Sequence, residues 1–145
     1  MARRAEEAHR VLMVDRDRDL ADRLSSLFRQ YALTMDHASD AVEARRLLEE
    51  RDYDVVMIDL LTESNLEALL GSTSTRSVVL AFTSDHHQLP TPLDSQRIAG
   101  VIRKPFDLRE LGSVVRACVD IRVRRSLDTM AAMLASGSLL SAVLG

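Results

Sequence analysis

Four side chains with complementary chemistry stand at one kind of position in this chain, at or just after the end of a short apolar run. Asp15 follows Val11-Leu12-Met13-Val14, and Asp59 closes Val55-Val56-Met57-Ile58. Thr83 follows the run centred on Val78-Val79-Leu80, and Lys104 follows Gly100-Val101-Ile102-Arg103. Two carboxylates, a hydroxyl and an ammonium are what phosphoryl transfer to a carboxylate requires. One acid attacks phosphorus, and the cation and the hydroxyl meet the charge on the transferred oxygens. Lys104 carries extra weight because it is the only lysine among 19 basic residues. A chain that otherwise uses arginine has kept a compact ammonium at this point, where a planar guanidinium is a poor replacement. A lysine lying along the surface is the plainer reading, and its position beside the other three weakens it.

The runs that carry these residues are short and lie between stretches of helical spacing, which is how strands buried on both faces read. Strands are expected at 10–14, more weakly at 34–38, at 54–58 closed by Asp59, at 77–82 and at 100–103. Leu20, Leu24, Leu27, Phe28 and Tyr31 keep helical spacing after the first strand. Asp40 with Glu43 forms a capping box for a second helix through Leu47, Leu48 and Arg51. A short helix is expected from Asn65 to Leu70. Asp107 with Glu110 opens a last helix whose inner stripe is Leu108, Leu111, Val115, Cys118 and Val119. Pro90 and Pro92 forbid a long helix between Asp85 and Ile98. Strands joined by right-handed crossovers make a doubly wound α/β sandwich with helices on both faces. In such a sheet ligands sit beyond the carboxyl ends of the strands, so Asp15, Asp59, Thr83 and Lys104 should converge. One domain is expected over residues 9–125, with a helical tail or linker over 126–145.

Composition narrows the partners. With 46% hydrophobic residues in 145, a real core is expected, and a net charge of −3 gives no field that favours nucleic acid or a membrane. Aromatic residues are 3% and Trp is absent, which argues against a base-stacking surface. Cys118 is the single cysteine, so no internal disulfide and no cysteine zinc cluster can form. The first ten residues have no apolar stretch of the signal-peptide kind, and 127–144 is too polar to span a bilayer. A cytoplasmic protein is expected. His86-His87 lies in a polar loop without further ligands for a metal.

In order and spacing, Val11 to Asp15, Tyr53 to Asp59, Thr83-Ser84 and Lys104-Pro105-Phe106-Asp107-Leu108-Arg109-Glu110-Leu111 resemble the receiver domains of two-component response regulators. The resemblance covers about residues 9 to 122. It implies a flavodoxin-like sheet of five parallel strands in the order 2-1-3-4-5, five helices, and a cis Lys104–Pro105 bond. It also implies that Asp59 is the phosphoacceptor, Thr83 the switch hydroxyl and Lys104 the phosphate partner. Asp15, Asp59 and the backbone carbonyl of Leu61 would hold Mg²⁺. The phosphoryl donor would be a histidine kinase or phosphotransfer protein, and the domain would be no enzyme beyond catalysing its own phosphoryl transfer and dephosphorylation.

Departures from the pattern bear on mechanism. Arg16 stands where a second acid normally supplies a direct magnesium ligand, so Mg²⁺ binding should be weakened. Asp17 could partly replace that acid, but a helix cap is its better assignment. Leu60-Leu61-Thr62-Glu63-Ser64-Asn65 replaces the usual Met-Pro and glycine, and apolar Leu61 offers nothing to orient a hydrolytic water. Val101 occupies the aromatic switch position. Two readings follow: a phosphorelay receiver, or an atypical receiver in which Arg16 pairs with Asp59 and the fold serves protein interaction or dimerisation. A flavodoxin-like ligand-binding protein is a distant third, since no glycine-rich phosphate loop is present. Leu127, Met130, Met133 and Leu134 keep helical spacing in the tail. They should be covered either by the tail's own domain or, as the preferred expectation, by a second copy in a homodimer.

Overall fold

A computed structural model describes residues 9–60, 66–74, 76–84 and 97–136. Five strands form one parallel sheet in the order β2-β1-β3-β4-β5. They are β1 (Arg10–Val14), β2 (Thr34–Ala38), β3 (Val55–Asp59), β4 (Val78–Ser84) and β5 (Ile98–Lys104). The helices are α1 (Arg18–Phe28), α2 (Ala41–Glu50), α3 (Leu66–Ser72) and α4 (Leu108–Ser136). Of the five helices the resemblance implies, four are therefore seen, and the stretch around Pro90 and Pro92 lies outside the described residues.

Each strand of the inner trio sends alternate side chains to opposite layers. Val11, Met13, Val55, Met57, Leu80 and Phe82 face a core closed by α1 and α4 through Leu24, Phe28, Leu111, Val115 and Val119. Leu12, Val14, Val56, Ile58 and Val79 face the other layer, where Ala44 of α2 and Leu69 and Leu70 of α3 cover them. Burial on both faces explains why β3 is apolar at every position up to Asp59.

The helix starts follow the expected caps. The Asp40 carboxylate accepts from the Glu43 backbone N at 2.9 Å, and the Glu43 carboxylate accepts from the Ser39 backbone N at 3.2 Å. Asp107 accepts from the backbone N of Arg109 and Glu110 at 2.9 and 3.0 Å. Between α1 and β2 a single 3-10 turn, Arg29–Tyr31, ends at Ala32, whose φ of 58° is the left-handed conformation.

Boundaries differ from expectation at several places. β4 continues through Thr83 to Ser84, and β5 starts two residues early and takes in Lys104, because the two strands pair as far as Ser84 with Lys104. α3 begins and ends later than expected, at Leu66 and Ser72. The largest difference is at the tail. α4 runs unbroken through 125 and 126, so the division placed there falls inside a helix. No glycine or proline interrupts the chain from Ser113 to Ser136, and a lone serine costs a helix only a few tenths of a kcal/mol, about 0.5.

Candidate functional site

The strand ends bring three of the expected residues into direct contact. Lys104 Nζ donates to Asp15 Oδ2 at 2.6 Å and to Asp59 Oδ2 at 3.3 Å. Asp15 and Asp59 are buried, at 1% and 6% exposure. Burial alone would favour the neutral amine of Lys104, but the hydrogen bond and charge of Asp15, followed by the charge of Asp59, outweigh it and raise its pKa above the ordinary lysine value. The Lys104 ammonium lies 5.5 Å from the centroid of the Phe82 ring, and Phe106 stacks on Phe82 at 5.2 Å. The Phe82 ring, backed by Phe106, forms an apolar floor beneath the cation, a role not foreseen from the sequence. The Lys104–Pro105 bond is cis, as the resemblance implies.

Backbone pairing fixes the carboxylates. The Asp15 N donates to the Ala38 carbonyl at 3.0 Å, and Asp15 Oδ1 accepts from the Asp17 N at 2.9 Å. His37 Nε2 stands 2.6 Å from the Asp15 carbonyl. A carbonyl can only accept, so this nitrogen carries the proton. Asp59 pairs in register with Phe82, one residue before Thr83. Thr83 is buried, and among the described residues its hydroxyl has no hydrogen-bond partner. Ser84 is half-buried and pairs with Lys104.

The neighbouring polar residues separate by role. Asp17 caps α1, its Oδ1 accepting from the Leu20 N at 3.0 Å. Arg16 is exposed beside buried Asp15. Leu61, the expected carbonyl ligand, lies outside the described residues. Val101 is 43% exposed on β5. Among the described residues no group of three or more His, Cys, Asp or Glu could hold a metal ion. The two pocket carboxylates share one lysine and Asp17 is committed to a cap, so the described residues leave few hard oxygen donors for Mg²⁺.

Two further polar clusters escaped the sequence analysis. At the strand starts, Asp54 accepts from the Arg10 N at 2.9 Å, forms an ion pair with Arg122 of α4, and has His9 Nδ1 at 3.7 Å. Arg122 also donates to the Arg76 carbonyl at 2.8 Å. Beside β2, the Tyr53 hydroxyl donates to Asp36 at 2.6 Å. Burial first, and then Asp36, raises the Tyr53 pKa well above the ordinary phenol value.

No family model and no curated protein matches the chain. Solved structures do, and they define the class: the fold is that of response regulator receiver domains. The receiver domain protein of Methanospirillum hungatei superposes with a TM-score of 0.71 at 15% identity, over 80% of this chain and 98% of that one. The Francisella response regulator 1452 receiver domain gives 0.66 at 22% identity, over 77% and 97%. A two-component response regulator from Clostridium difficile gives 0.65 at 16%, over 77% and 96%.

Proposed function

We propose that the chain is a phosphoacceptor receiver. An Asp59 carboxylate oxygen attacks the phosphorus of a phosphohistidine on a histidine kinase or phosphotransfer protein. The P–N bond breaks, the imidazole leaves with the electron pair, and an aspartyl phosphate forms. Lys104 and the Thr83 hydroxyl then meet charge on the phosphoryl oxygens. The observation that carries this reading is Lys104 Nζ held between Asp15 and Asp59 at 2.6 and 3.3 Å. Incubation with acetyl phosphate should add one phosphoryl group by intact mass, and Asp59→Asn should abolish the addition. Equal labelling of that variant would refute the assignment.

Arg16 and Val101 favour a second reading, in which the fold serves as a phosphorylation-independent interaction module. Its mark would be partner binding that Asp59→Asn leaves unchanged. Either reading admits a second copy as partner through α4, where Leu127 is 60% exposed. Sedimentation should show a dimer that Leu127→Asp weakens, and a monomer for the parent chain would end that idea. No helix among the described residues is long and apolar enough to cross a membrane.

A further inference from the structure

We infer that this pocket balances its own charge and works without a divalent cation, Arg16 and Lys104 together standing where a metal ion would. At neutral pH the strand ends carry two carboxylates, Asp15 and Asp59, against the Lys104 ammonium, which touches both. The guanidinium of Arg16 adds a second positive charge one residue from Asp15. Counted over Asp15, Asp59, Lys104 and Arg16, two negative and two positive charges cancel, so a divalent ion would add an excess of two positive charges beside the buried carboxylates. With an acid at position 16 the same site would carry three negative charges against one positive, and a divalent ion would neutralise it.

Geometry points the same way. Asp15 Oδ2 is engaged by Lys104 at 2.6 Å and Asp15 Oδ1 by the Asp17 N at 2.9 Å, so both oxygens already have donors. Asp17 is turned to the Leu20 N as the cap of α1. A magnesium ion would have to displace a charge-assisted hydrogen bond and gain few hard ligands in return. Of the two cations, Arg16 is permanent, since arginine does not deprotonate in proteins, and Lys104 is held charged at neutral pH by its two carboxylate partners. The pocket is therefore set for a phosphoryl group at any magnesium concentration.

The metal part of this inference stands on the charges and the engaged carboxylate oxygens, and its extension to transfer rests on Asp59 being the phosphoacceptor. Thermal unfolding of the full chain tests the first part. About 10 mM MgCl₂ should move the midpoint by less than about 1 °C, whereas Arg16→Asp should gain about 3–8 °C under the same addition. Arg16 is exposed, so the variant should fold. A magnesium-dependent rise in the parent chain would overturn the inference, and indifference of both proteins would overturn the role given to Arg16. Acetyl phosphate tests the second part. The Asp59 oxygen forms its bond to phosphorus as acetate departs, and the parent chain should label within about twofold with excess EDTA or with Mg²⁺. Arg16→Asp should lose about tenfold or more on chelation. Labelling of the parent chain that needs Mg²⁺ overturns the inference. Absence of labelling under every condition defeats the phosphoacceptor assignment instead, while the thermal result still decides the metal question.

Discussion

At the residue scale, two groups tie the fold to pH in the same direction. The pKa values of Lys104 and Tyr53 are both raised in the folded chain. A raised folded value means that the stabilisation is complete below the unfolded pKa, about 10 for either group, and is lost as pH rises toward the folded value. Stability measured by urea should therefore fall above about pH 10. Tyr53→Phe should cost about 0.5–1.5 kcal/mol at neutral pH through the lost bond to Asp36 and should flatten the alkaline fall. An unchanged slope would show that Lys104 alone governs it. Ala32 gives an opposite kind of test. It is exposed at φ 58°, where glycine has no Cβ to strain, so Ala32→Gly should stabilise by about 0.5–1 kcal/mol. The strand-end side chains that meet, Asp15, Asp59 and Lys104, were legible because each follows or closes an apolar run. Thr83 and Lys104 were off only in lying inside their strands, since pairing across β4 and β5 decides where a strand stops. Asp54 was read as a strand start, and nothing local shows that its partner is Arg122, 68 residues away.

At the scale of elements, α4 docks against the turn after α1 by a close approach. A Cβ on Gly112 would sit 2.7 Å from a carbon of the Tyr31 ring, while the Tyr31 hydroxyl donates to the Arg109 carbonyl at 3.3 Å. Arg116 donates to the Tyr31 carbonyl at 3.3 Å. Alanine is the better helix former by about 1 kcal/mol, but the ring cannot yield cheaply. Gly112→Ala should therefore destabilise by about 1–2 kcal/mol net. In a Tyr31→Ala background the obstacle is gone and the same change should stabilise, so a sign that fails to reverse would refute the packing account. Arg122, midway along this helix, ties it to the start of the sheet through Asp54. Arg122→Ala would leave the buried Asp54 carboxylate with the Arg10 N and His9 only, at a cost of about 1–3 kcal/mol by chemical denaturation. The helical period of α4 was readable from Leu108 to Val119. Its continuation was not, because Ser126 resembles a cap in isolation and only the absence of glycine or proline around it shows that the helix persists.

For the whole molecule, α4 is a lever. It enters the fold near the edge where Asp15, Asp59 and Lys104 meet, and it reaches Asp54 and Arg76 near the opposite edge, where the strands begin. From Val123 to Ser136 it continues for about 21 Å at 1.5 Å per residue. A rod held at its foot magnifies any tilt, and a swing of only about 5° would carry its tip about 2 Å. The Arg122 contacts are then the fulcrum of any such swing, which needs no rearrangement inside the rod. Spin labels at Val42 and Leu127, both exposed, in a chain carrying Cys118→Ser would report that angle. Their distance distribution should be narrow in the otherwise unaltered chain and broaden when Arg122→Ala removes the fulcrum; equal widths would mean that the rod is steered from somewhere else.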